Sequence, residues 1–325
     1  MKKGIVVAVL FILALSVSSV ALAKTVLKFA HIYDPSHPVA VASDMVAKLV
    51  AQKTNGDVEI QVFPASQLGS EEALLEASIF GSVDIVSSGA GQIGNLFKPV
   101  LVLEMPYTFK DNDQVIRFAK SDIARQMGED LRQEFGVKIV GTTPYGIRQV
   151  SSNKPIKTPA DLNGFKLRVP EQNVCIEYAK AMGADPTPIA FSEVYLALQQ
   201  GVVDGQENSL STIKAMKFYE VQKYVNLTRH VTNCLFFVMN DAKFQSLSPD
   251  QQQILLDAFD EAANYIAAEL NKGDQELGKM FEAEGVTIIE PDLEAFRKAT
   301  AEMPNTFRKW WIRYGDDLHK RIQDL

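Results

Sequence analysis

The stretch Ser87-Ser-Gly-Ala-Gly-Gln-Ile-Gly94 decides how this 325-residue chain is read. It holds a G-x-G-x-x-G pattern at Gly89, Gly91 and Gly94, directly after the β-like run Val83-Asp84-Ile85-Val86. A dinucleotide site needs the third glycine to open a helix. That crossover takes about a dozen residues and leads to a parallel strand ending in an acid. Here Asn95 to Pro99 follow Gly94, and the next β-like run, Val100 to Leu103, begins at once. Glu104 ends that run and mimics the ribose-binding acid, but the connection is too short and Pro99 would break a helix. The other reading is geometric. In open α/β sheets, ligands bind beyond the carboxyl ends of the strands, and small residues there leave a wall of backbone that a small molecule can approach.

Outward from this stretch, strands and helices alternate. Strands are expected at Val26 to Ala30, Val58 to Phe63, Val83 to Ser87, Val100 to Leu103 and Lys138 to Thr142. Helices are expected at His37 to Thr54, Ser70 to Phe80 and Asp113 to Phe135. A second α/β unit follows: strands at Lys166 to Val169, Pro188 to Ala190 and Val202-Val203, and helices at Val174 to Met182 and Glu193 to Gln200, the latter capped by Ser192. Val231 to Met239 reads as an apolar strand returning to the first unit. Ser248-Pro249 then starts a helical pattern that continues to Glu284, too long for one small domain. Repeats are not apparent. Two α/β lobes crossed by the chain and braced by one long helix describe a hinged clamp.

The ends and the composition narrow the function. Met1-Lys2-Lys3, an apolar run from Gly4 to Val20, and Ala21-Leu22-Ala23 form a signal peptide, residues 1–23, so export to the periplasm is expected. No later run is long enough to span a bilayer. The net charge is −7 with no basic block, which argues against nucleic acid and anionic lipid as partners. His31, His37, His230 and His319 show no H-E-x-x-H and no zinc spacing, and there is no G-x-S-x-G. No enzyme, metal or cofactor is therefore expected. Cys175 and Cys234 are expected as buried free thiols, with a disulfide as the alternative that export permits. Trp310-Trp311 is expected to pack on the second lobe.

In Gly164-Phe-Lys-Leu-Arg-Val-Pro170, apolar Phe165, Leu167 and Val169 alternate with Lys166 and Arg168. Pro170 ends the strand, so Arg168 stands at its carboxyl end, where a guanidinium can pair bidentately with a carboxylate. Arg148 follows the Lys138 strand in the same way.

The stretch Phe191-Ser-Glu-Val-Tyr-Leu-Ala-Leu-Gln-Gln-Gly-Val-Val-Asp-Gly-Gln-Glu-Asn208 resembles a signature of solute receptors of tripartite ATP-independent periplasmic (TRAP) transporters, the C4-dicarboxylate and sialic-acid receptor type. Ala65-Ser-Gln-Leu-Gly69, Gly146-Ile-Arg-Gln149, Lys166 to Pro170 and Phe218-Tyr-Glu-Val-Gln-Lys223 match the same family, in order, over nearly all of the chain after residue 24. The resemblance implies an α/β, two-lobed periplasmic binding protein that hands a small organic acid to membrane permease subunits. It is expected as a monomer. Lobe I is expected at 24–146 and 234–272, and lobe II at 147–233 and 273–325.

Carried over residue by residue, Arg168 resembles the carboxylate clamp and Arg148 the second pocket arginine. Asn208 resembles the amide that fixes the ligand, Phe191 the aromatic that packs on it, and Glu71 an acid that reaches its tail. Glu171 lines the pocket beyond the clamp strand, and His31 is a candidate contact at the end of the first strand. Gly89 and Gln92 stand where sialic-acid receptors of the family look charged. A small neutral wall there points to one carboxylate on a bulky or hydroxylated ligand: a sugar acid, a hydroxy or keto acid, or an aromatic acid. A C4-dicarboxylate receptor, a ligand sensor and an exported hydrolase are the alternatives.

Overall fold

A computed structural model describes residues 24–325. The signal peptide expected at 1–23 lies outside the described residues. The first half runs β1 (Thr25–Ala30), α1 (Pro38–Lys53), β2 (Val58–Phe63), α2 (Glu71–Ile79), β3 (Ile85–Gly89) and α3 (Ala90–Leu96). A 3-10 helix, Lys98–Glu104, leads to α4 (Asn112–Ala119), α5 (Asp122–Phe135) and the long strand β4 (Val137–Ser152). The second half holds β5 (Lys166–Val169), α6 (Asn173–Ala181), β6 (Asp185–Pro188), α7 (Val194–Gln199), β7 (Gly205–Ser209) and α8 (Leu210–Ala215). The chain then returns along β8 (Tyr224–Asn240), a short α9 (Asp241–Gln245), the long α10 (Pro249–Ala283) and β9 (Thr287–Ile289).

The fold is α/β and two-lobed, with a mixed sheet flanked by helices. The sheet order is β2-β1-β3-β8-β4-β7-β5-β6, with β9 beside β8. β1 pairs in parallel with β2 and β3 in one lobe, and β5 with β6 and β7 in the other. The antiparallel pair β4 and β8 runs through both lobes, and its register shifts between Pro144 and Gly146. Such a shift bends a strand locally.

α10 is the brace. Ser248 accepts from the Gln251 N–H, and the Gln251 side chain accepts from the Ser248 N–H, so a capping box starts the helix with Pro249 in its first turn. Its 35 residues run about 52 Å at 1.5 Å each. Leu255, Phe259, Ala262, Ile266 and Leu270 fall three or four residues apart and enter the main core, while Leu277 and Phe281 enter a smaller core under α7 and α8. One helix therefore packs on both lobes.

The lobes repeat a local device that the sequence reading did not find. In the first, the Asp84 carboxylate accepts from the Lys28 N–H at 2.7 Å and the Asp84 N–H donates to the Lys28 carbonyl. In the second, Asp204 and Lys166 make the same two bonds, at 2.8 and 2.9 Å. By strand register, Ala30 in β1 corresponds to Arg168 in β5.

Several expected elements are corrected. Val100 to Leu103 lies in the 3-10 helix, not in a strand; Pro99 suits its first turn and the apolar run is wholly buried. Residues 113–135 divide into α4 and α5, because Ser121 caps a new helix by accepting from the Ala124 N–H. The Lys138 strand continues to Ser152. Ser192 is no cap: it lies inside a 3-10 turn, Phe191–Glu193, that precedes α7. Val202-Val203 is not the strand either. The strand is the polar Gly205–Ser209, buried at every position.

The C-terminal segment around Trp310-Trp311 packs against residues 97–134 of the first lobe, not on the second lobe as expected for the tryptophans. Arg313 lies over Phe97 and pairs with Glu134, His319 bonds Thr108, and Lys98 lies over Trp310. Cys175 and Cys234 are buried and free, as expected.

Gly205 has no room for a side chain. A Cβ there would overlap the Ser151 carbonyl oxygen and come within 2.7 Å of the Phe165 ring. Overpacking of this kind costs about 1–3 kcal/mol. Gly205→Ala is expected to lower the calorimetric melting temperature by several degrees; an unchanged melting temperature contradicts this packing.

Candidate functional site

A cavity lies between the lobes at the carboxyl ends of β1, β3 and β5, and encloses about 730 Å³ counted out to its mouth. Arg168, at the end of β5, forms its charged wall and is 1% exposed. Its Nε and Nη2 donate to the Ile189 carbonyl at 2.9 and 2.6 Å, while Nη1 is buried with no partner. Burial lowers its pKa to about 10, which leaves it charged at neutral pH. A buried cation without a counter-ion is costly to hold. Here one edge is tied to a carbonyl and Nη1 is left without a partner in a residue that lines the cavity.

Arg148, in β4, also lines the cavity but is already satisfied. Its Nε and Nη2 grip the Glu207 carboxylate, with Nη2 2.6 Å from Oε1; Nη2 also donates to the Glu207 carbonyl and Nη1 to Asn233 Oδ1 at 2.8 Å. His230 Nε2 is 3.1 Å from the same carboxylate. Burial pushes the Glu207 acid up, but Arg148 and His230 outweigh it and hold the pKa at about 2. The two arginines thus differ: Arg148 is an internal pair and Arg168 an open one.

Asn208, in β7, donates from Nδ2 to Gln206 Oε1 at 2.9 Å and accepts from the Tyr145 hydroxyl at 3.3 Å. Gln206 in turn donates to Ser151 Oγ. This is why five residues as polar as Gly-Gln-Glu-Asn-Ser can form a central strand: each side chain finds a partner.

From the first lobe, Ser70 caps α2 and places Glu71 in its first turn. Glu71 Oε1 accepts from the Gly89 N–H at 2.7 Å and from the Ser88 hydroxyl at 3.3 Å. The expected bare wall of N–H groups is therefore partly occupied by this acid. Burial raises the Glu71 pKa against the pull of those donors. Gln172, across the cleft, donates to Glu71 Oε2 at 3.4 Å. A Cβ on Gly91 would overlap the Gln172 amide oxygen, so the glycine lets the lobes meet. Asn95 Nδ2 also crosses to the Glu171 carbonyl at 3.3 Å.

Of the expected residues, Arg168, Arg148, Asn208, Phe191, Glu71, Glu171, Gly89 and Gln92 line the cavity. Glu171 is exposed at the rim. His31 is not on the wall. It is buried behind it, Nδ1 accepting from the Tyr33 N–H, and burial lowers its pKa to about 4. Sequence reasoning missed Tyr33, Tyr145 and Gln172. Tyr33 and Tyr145 lie 5.4 Å apart, and Phe191 meets Tyr33 edge-on at 6.2 Å, making one aromatic side of the cavity. Tyr33 was within reach of the rule that placed His31 at a strand's carboxyl end; Gln172 carried no such signal.

Known proteins agree with this geometry. The family model for bacterial extracellular solute-binding protein, family 7, matches residues 29–309. The sialic acid-binding periplasmic protein SiaP of Vibrio cholerae is 34% identical over 296 residues, which is 91% of this chain and 92% of that protein. The 2,3-diketo-L-gulonate-binding periplasmic protein YiaO of Escherichia coli is 31% identical, with 100% of both chains covered. A TRAP periplasmic solute-binding protein from Roseobacter denitrificans, solved with bound L-galactonate, matches with a TM-score of 0.83 at 31% identity, over 87% of this chain and 94% of that one. With the cleft, the brace and the family match in hand, the chain belongs to family 7 of the bacterial extracellular solute-binding proteins, the receptors of TRAP transport.

Proposed function

We propose that this protein is a periplasmic receptor for a hydroxylated monocarboxylate of the sugar-acid class, which it holds unchanged and delivers to a TRAP permease. The observation that carries this reading is the buried, unpartnered Nη1 of Arg168, a residue that lines the cavity between the lobes. The ligand carboxylate sits on the free edge of Arg168 beside Asn208, with Tyr145 and Phe191 against its carbon chain. Glu71 and Gln92 take its hydroxyls, Gly89 leaves room for the tail, and Glu171 guards the rim. Arg148 holds the floor through Glu207, and His31 supports Tyr33 from behind. The lobes divide at 146/147 and 233/234, beside the register shift of β4 and β8. The receptor works as a monomer and catalyses no reaction.

Two features favour one carboxylate over two. Glu71 lies across the cavity from Arg168 and opposes a second anion. Sialic acid, diketogulonate and galactonate, the ligands named for the three relatives described above, each carry one carboxylate on a hydroxylated chain, whereas a relative 29% identical is named for a C4-dicarboxylate. The absence of charge at Gly89 and Gln92 argues against sialic acid among these.

Thermal shift and titration calorimetry test the reading with L-galactonate, D-glucuronate and D-erythronate against succinate, L-malate and N-acetylneuraminate. At a hundred times its Kd, a true ligand stabilises the fold by about 2.7 kcal/mol. Stabilisation by the dicarboxylates alone would reject the proposal, and turnover of any acid would reject the receptor role.

A further inference from the structure

Glu104, at the end of the 3-10 helix, faces the cavity and takes no part in the contacts assigned above. It is 2% exposed. Its two oxygens lie 2.9 and 2.7 Å from Asn233 Nδ2, and the Gly91 N–H also donates to it. Asn233 has its Oδ1 on Arg148, which fixes the amide with its NH₂ toward Glu104. Among the described residues no cation is hydrogen-bonded to or salt-bridged with the Glu104 carboxyl; Arg148 is tied to Glu207 and acts on Glu104 only through space.

The groups around it leave a charge to be resolved. Glu207 on β7 is neutralised by Arg148 on β4. Glu71 on α2 has the Gly89 N–H, a serine hydroxyl and the Gln172 amide to stabilise its ionised form. Arg168 on β5 awaits the ligand. The Cys175 thiol on α6 and the Cys234 thiol on β8 bring no positive charge. On the outer side, Arg308, Lys309, Lys320 and Arg321 of the C-terminal segment are exposed, and His319 bonds Thr108. An incoming anion would thus meet Glu104 as one uncompensated carboxylate too many. Apolar burial keeps such an acid neutral, and a neutral acid is a hydrogen-bond donor.

Resting on the organic-acid reading above, we propose that Glu104 is a ligand-binding residue that acts as a protonated acid, donating a hydrogen bond to an oxygen of the bound anion, and that in alkaline solution, where the free acid is ionised, capture of the anion draws this proton from solvent. Burial first, and then the negative charges of Glu207 and Glu71, push the Glu104 pKa up to about 8 against the opposing pull of Arg148 and of the Gly91 N–H. A ligand anion moves it further up. The proton is therefore bound more tightly in the complex, and affinity falls as pH rises through about 8, by up to about tenfold per unit.

Two measurements on the purified protein test this. Isotope-edited infrared spectra of the ligand-free protein at pH 7 are expected to show a protonated carboxyl band that Glu104→Gln removes; no such band overturns the proposal. Calorimetry with L-galactonate at pH 8, in phosphate and in Tris, is expected to show net proton uptake in the wild type and none in Glu104→Gln, whose affinity stays level with pH. Equal uptake in both proteins, or none in the wild type, overturns it. D-Glucuronate and D-erythronate are titrated in parallel. If none of the three acids binds, the ligand reading fails, while the infrared band still decides the state of Glu104.

Discussion

Arg168→Ala is expected to weaken binding of the cognate acid by two to three and a half orders of magnitude while the protein keeps its fold. The estimate follows from the cost of leaving one partner of a buried charge pair alone, about 3–5 kcal/mol, converted at 1.4 kcal/mol per decade. Here the partner left alone is the ligand carboxylate. The fold survives because Arg168 has no protein carboxylate to strand: its bonds go to the Ile189 carbonyl, and its Nη1 has no partner to lose. Arg168→Lys is also expected to bind poorly, since an ammonium cannot span both the carbonyl and the anion as the planar fork does. Titration calorimetry with the best acid found for the wild type checks both. Binding of Arg168→Ala within threefold of wild type would show that the clamp lies elsewhere.

Arg148→Ala is expected to act on the other side of the ledger, destabilising the fold by about 3–5 kcal/mol through the stranded Glu207 carboxylate. For a chain of this size that is roughly 10 °C in melting temperature. The pH dependence identifies the cause. In the wild type Glu207 titrates at about 2 in the fold against an ordinary value of 4.5, a depressed acid. Its contribution is complete above pH 4.5 and is lost as pH falls toward 2; the shift corresponds to about 3 kcal/mol. Without the Arg148 cation only His230 is left to oppose burial at Glu207, so the depression shrinks and the variant gains stability relative to wild type on acidification. Replacing Arg148 and Glu207 together with methionine is expected to recover much of the loss. A melting temperature for Arg148→Ala within two degrees of wild type would sink the assignment.

Where the sequence carried a local signal, it predicted the structure well. Ser70, Ser248 with Pro249, and the period of α10 fix helix starts and faces within a few residues of each other, and Arg168 needs only Pro170 to place it at a strand's end. Failures came where the deciding contact is distant. The polar strand β7 reads as a turn unless Ser151, Arg148 and Tyr145, more than fifty residues away, are known to satisfy it. Val100 to Leu103 is an apolar run too short for periodicity to distinguish a strand from a buried turn of helix. The different fates of Arg148 and Arg168, alike in sequence context, rest on Glu207 lying opposite one and not the other. His31 was drawn to the cavity by its position after β1, but Tyr33 covers it.

The matched Asp84 and Asp204 bonds show one half-shell made twice, with only the second copy armed. Ala30 occupies in the first copy the place that Arg168 holds in the second. On the clamp proposed above, an arriving acid has a head end and a tail end as far as the protein is concerned, and only one berth for the head. Capture then falls to the armed half and recognition of the tail to the unarmed one, so the proposed order of events in uptake follows from which copy received the arginine.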